Sequence, residues 1–214
     1  MSLTIDVISD VVCPWCYVGK KKLQTAIDLY KSQYPDAEIP RVRWHAFQLN
    51  PGLDESGMDR AEYVLNKFGS RASTVYDRVK NVGLEEGIEF AFDKIQRQPN
   101  TRKAHSLIAA CERPELQEKM VQLLFDAYFI LGMDLTDDKV LSSIAQDAGL
   151  DQALIEKALH SAQAIQAIEQ ADQYARSIGV QGVPFFVFNQ KVAVSGAQGP
   201  ETLVGAMIQS QGIG

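Results

Sequence analysis

The sequence predicts an α/β fold: a four-stranded mixed sheet covered by helices, with a large all-helical insertion between its second and third strands. Three observations carry this reading. The opening segment alternates strand, helix, strand. A block from about residue 59 to residue 177 shows only helical periodicity. After Gly182 the pattern returns to two short strands and a closing helix.

Residues 3–9, Leu-Thr-Ile-Asp-Val-Ile-Ser, alternate and are rich in β-branched types, as a half-buried strand should be. Asp10 to Val12 form a loop. Pro14 suits the first turn of a helix, where its missing N–H costs nothing. That helix runs to about Ser32 with Leu23, Ile27 and Tyr30 inward. Pro35 and Pro40 bracket a loop, and residues 41–48 alternate again as a second strand. The intervening helix is long enough for a crossover between parallel strands.

Inside the insertion, Met120, Leu123, Leu124, Ala127, Tyr128 and Leu131 recur at helical spacing and form an amphipathic stripe, read as core packing. Thr136-Asp137-Asp138 caps the next helix with acids in its first turn. Leu141, Ile144, Ala145 and Ala148 line its inner face, and Gly149 ends it. A further helix carries Ala158, Ala162, Ile165, Ile168 and Asp172 and stops near Gly179. Pro184 to Phe188 is then a strand, Asn189-Gln190 a turn and Lys191 to Ser195 the returning strand. A loop over Gly196–Gly199 leads to Pro200, which opens a last helix with Leu203, Met207 and Ile208 inward. The expected units are residues 1–55 with 178–214 for the sheet, and 56–177 for the insertion.

Composition limits the function. The 214 residues are 46% hydrophobic and 22% charged, which fits one globular domain carrying an insertion and excludes disorder or a small disulfide scaffold. Lys and Arg number 21 against 27 Asp and Glu, a net −6; with no basic run, nucleic acid and anionic membrane are poor partners. No segment reaches the roughly 18 apolar residues of a membrane span. The first basic residue is Lys20, and no small-residue cleavage site precedes it, so a secretory leader is not expected and a cytoplasmic location is.

Three cysteines, Cys13, Cys16 and Cys111, do not make a disulfide framework. Cys13-Pro14-Trp15-Cys16 follows a strand and opens a helix, a context that marks a redox pair. Two intervening residues in a helical turn bring the sulfurs together. Cys13 sits at the helix start, where free N–H groups and the dipole stabilise a thiolate. Cys16 lies one turn in and should be more buried. Cys13 therefore attacks or is attacked, and Cys16 resolves the mixed disulfide. Far along the chain, Val183-Pro184 precedes a strand. Proline there has no N–H for the ladder. With that peptide bond cis, the Val183 backbone is free to pair with an extended peptide. Pro14, Trp15, Val183 and Pro184 are thus the candidate substrate-binding residues.

The other polar candidates read more plainly. A metal held by Cys13 and Cys16 needs about two more ligands. Cys111, His45, His105 and His160 offer no suitable spacing, so no metal is expected. Cys111 lies in an apolar helical run and reads as an inert buried thiol, with a redox partner as the alternative. Trp15 is either packing or an apolar rim for substrate. His45 is a structural histidine or a proton acceptor near the dithiol. His105 packs at a helix start or lines the cleft, and His160 reads as surface.

Taken together, Ser9-Asp10-Val11-Val12-Cys13-Pro14-Trp15-Cys16, Phe47-Gln48-Leu49-Asn50-Pro51, Asn100-Thr101 with Ala104-His105, and Val183-Pro184-Phe185-Phe186-Val187 with Ser195-Gly196-Ala197-Gln198 resemble the FrnE-like dithiol–disulfide oxidoreductases. These belong to the DsbA-type branch of the thioredoxin superfamily, and the resemblance spans the chain. It implies a thioredoxin-like core, a helical lid over the thiols, a cis-proline facing them, and thiol–disulfide exchange on protein or small-thiol substrates. Cys13, Cys16 and Pro184 match residue by residue. The dipeptide departs from the periplasmic oxidants: Trp15 stands where they have a charged histidine, so a less oxidising couple is expected. The extra cysteine pair of some members is missing. No bound cofactor is implied; glutathione or a partner reductase would serve as co-substrate, and the protein would be a monomer or homodimer.

Two other classes remain open at this stage. The related 2-hydroxychromene-2-carboxylate isomerases and kappa-class glutathione transferases generally carry serine where Cys13 stands. Two thiols favour two-thiol chemistry over theirs. A non-catalytic peptide-binding module under the lid would bind its partner without either cysteine.

Overall fold

In the computed structural model, which describes residues 3–212, the chain forms the four-stranded mixed sheet. Strand β1 (Thr4–Ser9) leads through helix α1 (Pro14–Gln33) to β2 (Arg41–Ala46). After the insertion come β5 (Phe185–Phe188), β6 (Val192–Ser195) and α9 (Pro200–Gln211). The sheet order is β2-β1-β5-β6, with β1 parallel to β2 and the other pairings antiparallel. Asn189 and Gln190 both have positive φ, 48° and 57°, where the turn is expected; Lys191 joins them in a three-residue loop, its N–H donating to Phe188 O (2.9 Å), so the returning strand starts one residue later than expected, at Val192.

Side-chain alternation along β1 divides the core. Ile5 and Val7 are buried with Leu23, Ile27, Leu203 and Met207 under α1 and α9. Ile8, on the opposite face, packs with Phe47, Ala175 and Val180. The insertion comprises β3 (Met58–Asp59), α2 (Arg60–Phe68), α3 (Ala72–Glu85), β4 (Arg97–Gln98), α4 (Arg102–Ala110), α5 (Pro114–Phe129), α6 (Asp138–Ala148), α7 (Gln152–His160) and α8 (Ala162–Ser177). An aromatic cluster ties it to α1: the Tyr17 ring stacks on Phe125 at 5.0 Å and meets Phe90 edge-on at 6.0 Å.

Several local expectations shift. The second strand ends at Ala46, two residues early: Phe47 N still donates to Ser9 O (3.0 Å), but the amides after it turn to side-chain acceptors, Gln48 N to Asp172 Oδ1 (2.8 Å) and Leu49 N to Asp10 Oδ2 (2.7 Å). The helix read through Ala158 and Ala162 is two helices. Ser161 breaks it, closing α7 and accepting from Ala164 N with its hydroxyl at 3.3 Å. Ala162 is exposed. The α5 stripe stops short of Leu131, which is 60% exposed beyond the helix end. Besides its helices the insertion holds the antiparallel β3–β4 pair, two residues each, too short to leave a periodic signal. The Asp137 cap and the Gly149 terminus with φ 110° stand as read.

Asp172 is 4% exposed, yet it holds the backbone of Gln48 and the guanidinium of Arg176 (Nε at 2.9 Å), which in turn donates to Gln48 O (2.5 Å). One residue of the sheet unit is thus clamped on both its N–H and its C=O by α8. Asp172→Ala leaves a buried N–H without an acceptor and should lower stability by about 1–3 kcal/mol, read as a fall in thermal midpoint. An unchanged midpoint would show the clamp to be incidental.

Candidate active site

The site is assembled at the start of α1. Cys13 N donates to Asp10 O (3.0 Å), closing a turn after β1, and Cys13 O accepts from Cys16 N (2.9 Å) as the helix begins. Cys13 is the N-cap residue, with Pro14 just inside. Its thiol has no capping bond to its own helix. Instead Cys13 Sγ lies 3.6 Å from the carbonyl oxygen of Val183, 170 residues away in sequence. The Val183–Pro184 peptide bond is cis. The two halves of the proposed site therefore meet.

Gly19 makes that approach possible. A Cβ on it would lie 2.8 Å from Pro184 Cγ and 3.2 Å from Phe186 Cζ, so the proline corner sits directly against the helix. On its other side, Pro184 O accepts from Gly196 N (2.8 Å), tying the corner to the Ser195-Gly196-Ala197-Gln198 loop. Of the predicted binding residues, Pro184 is buried, while Pro14, Trp15 and Val183 are partly exposed.

The two thiols occupy different environments. Cys13 is 5% exposed and Cys16 only 1%. Burial first, and then hydrogen bonding and charge from the neighbouring Cys13, push the Cys16 thiol well above the ordinary range; the Ser9 hydroxyl and the Asp10 N–H offset only part of this. Cys16 is therefore a neutral thiol held beside Cys13.

Asp10 is the residue that sequence reasoning passed over as loop. It is fully buried. Its Oδ2 accepts from Leu49 N at 2.7 Å, and its Oδ1 lies 3.3 Å from Nε2 of His105, which is 3% exposed on α4. One carboxylate three residues before Cys13 thus joins the dithiol loop, the segment after β2 and the insertion. The available signal is an acid directly followed by the apolar residues Val11 and Val12 and the dithiol.

The remaining candidates lie apart from the thiols. His45 is half-exposed and bonded to Asp6 (2.7 Å) beside Arg43, on the sheet face away from α1. Burial would raise the Asp6 carboxyl, but hydrogen bonds from His45 and Arg43 outweigh it and hold the group below its usual range. Cys111 is buried alone, donates to Leu107 O (3.3 Å), and is pushed up to about 12 by burial. His160 is exposed beside Glu156. Among the described residues, no three His, Cys, Asp or Glu side chains converge in a metal site.

Residues 4–207 match the sequence profile of the DSBA-like thioredoxin domain. The chain is similar to the uncharacterized protein YwbO of Bacillus subtilis (strain 168), 25% identical over 212 residues, covering 99% of this chain and 98% of that protein. It superposes with TM-score 0.85 and 26% identity on a probable DsbA oxidoreductase from Streptomyces coelicolor, covering 98% of this chain and 90% of the other. The fold is shared at TM-score 0.61 and 16% identity with the cytosolic disulfide reductase DsbM of Pseudomonas aeruginosa, solved with GSH, over 98% and 96% of the two chains.

Two outcomes test this geometry. Alanine usually stabilises a helix by roughly 1 kcal/mol over glycine. Gly19→Ala should nonetheless lose about 1–3 kcal/mol, because its methyl collides with the Pro184 ring. A stabilised Gly19→Ala in chemical denaturation would refute the close approach. Alkylation of the reduced protein with limiting iodoacetamide at neutral pH should label Cys13, by peptide mapping, and reach Cys16 only at strongly alkaline pH or on unfolding. Equal labelling at pH 7 would contradict the raised Cys16 thiol.

Proposed function

The chain belongs to the DSBA-like thioredoxin domain family, and from that premise we propose that it exchanges disulfides with protein or small-thiol substrates through Cys13 and Cys16. The observation that supports this most is the contact of Cys13 Sγ with the Val183 carbonyl, with Cys16 held as a neutral thiol behind it. In the reducing direction, the Cys13 thiolate attacks one sulfur of a substrate disulfide. A Cys13–substrate bond forms, the substrate S–S bond breaks, and the first thiolate leaves and takes up a proton. Cys16 then gives up its proton and attacks Cys13 Sγ. The Cys13–Cys16 bond forms, the second substrate thiolate leaves, and two electrons have passed to the substrate. Run backwards, the same steps oxidise a dithiol.

In this reading Val183 and Pro184 present a backbone edge to the substrate, and Pro14 and Trp15 form the rim. Residues 56–177 act as a lid on the sheet unit of residues 1–55 and 178–214. The protein needs no bound cofactor, is recycled by glutathione or a partner reductase, and works in the cytoplasm. No helix among the described residues is long and apolar enough to cross a membrane. A couple less oxidising than that of the periplasmic oxidants follows from the uncharged Pro14-Trp15 pair.

Insulin reduction with dithiothreitol tests the minimum claim. Wild type should accelerate precipitation, and Cys13→Ser should fall to the uncatalysed rate. Cys16→Ser should trap the mixed disulfide, visible by mass. Full turnover by Cys16→Ser would favour a one-thiol glutathione-dependent isomerase or transferase instead.

A further inference from the structure

The lid brings a cation to the rim of the dithiol. Helix α3 places the Arg78 guanidinium 5.9 Å from the centre of the Trp15 ring. Trp15 is two residues from Cys13 in the chain and partly exposed, so this pair lies on the surface beside the dithiol turn. Among the described residues no carboxylate lies within 4.0 Å of Arg78. It is exposed. Its charged neighbours Asp77 and Lys80 line a separate cleft of about 480 Å³ with Arg60 and Phe92. An arginine resting on an indole keeps N–H edges free, the edges that grip a carboxylate. The chain as a whole carries −6, so an anion is otherwise repelled; a cation at this rim, with Lys22 Nζ further off on Ala197 O (3.4 Å), reverses that locally.

We propose that Arg78 sets the charge preference of the dithiol site, selecting small disulfides that carry a carboxylate a few bonds from the sulfur over neutral or cationic ones. This rests on the exchange reading above. Small substrates are favoured because Cys13 is only 5% exposed. Arg78 forms no bond to the reacting sulfurs in this account; it positions the substrate's charged arm.

Three compact disulfides that differ mainly in charge test it: dithiodipropionate, bis(hydroxyethyl) disulfide and cystamine. The reduced protein is mixed with each, and formation of its oxidised form is followed by mass after acid quenching, because exchange leaves the total thiol count unchanged. Rates are divided by those of dithiothreitol with the same disulfide, which removes intrinsic reactivity. Wild type should prefer the dianion to the dication, and added salt should flatten the preference. Arg78→Gln should lower the anion-to-cation ratio by roughly three- to tenfold, the range for one charge at a partly solvated surface. Arg78→Glu should lower it further, and Arg78→Lys should retain most of it. An unchanged ratio in Arg78→Gln, with all three disulfides reacting, overturns the inference alone. No reaction of wild type with even the neutral disulfide overturns the exchange reading on which it stands.

Discussion

A sulfur at the head of one helix meets a backbone carbonyl supplied from the far end of the chain, and most of the architecture serves that meeting. Cys13 is fixed from β1 through the turn at Asp10, and Val183 is fixed through β5, which pairs with that same strand. Because both approaches descend from one ladder, their separation is set by the sheet and does not depend on a flexible loop. The remaining degree of freedom is how near the proline corner may come to α1, and the missing side chain at Gly19 settles it.

Two buried carboxylates then attach the insertion to this frame. Asp10 spans the dithiol loop, Leu49 and His105; Asp172 spans Gln48 and Arg176. Both accept an amide from the short segment after β2, where the strand has lost its ladder partner. Burying a carboxylate is tolerated only when its lone pairs are filled, so each must find several donors at once. Those donors come from different elements, which makes the carboxylates registration points as well as bonds. Apolar contact through Tyr17 and Phe125 gives area, whereas the carboxylates define orientation.

The fold was legible because its signals are long. The strand alternation read over residues 3–9 and 41–48, the periodic faces of α5 and α6, and the prolines at both helix starts all act within one element. The dithiol was legible for the same reason, since its spacing and its helix are contiguous. What escaped depends on contacts between distant elements. Nothing local distinguishes Asp10 as a buried anchor, because its partners Leu49 and His105 are 39 and 95 residues away. His45 looked as close to the thiols as His105 did. Strand parity decides between them: His45 is directed with Asp6 to the other face of the sheet, while His105 arrives from a helix whose placement only packing determines. Ser161 is a case of the opposite kind, a capping residue visible in the sequence but masked by a hydrophobic pattern that runs across it.

The division of labour between the thiols follows from their surroundings and not from the cysteines themselves. Cys16 is enclosed on every side, and an anion there would lose its hydration with only Ser9 and the Asp10 amide to replace it. Cys13 sits at the helix's opening turn, where peptide dipoles converge and one side gives onto the rim. In the proposed exchange, a mixed disulfide at Cys13 would remove the neighbouring charge that opposes ionisation of Cys16, and burial would remain as the larger opposing cause. That ordering, in the same proposed exchange, would leave release of product to the buried partner.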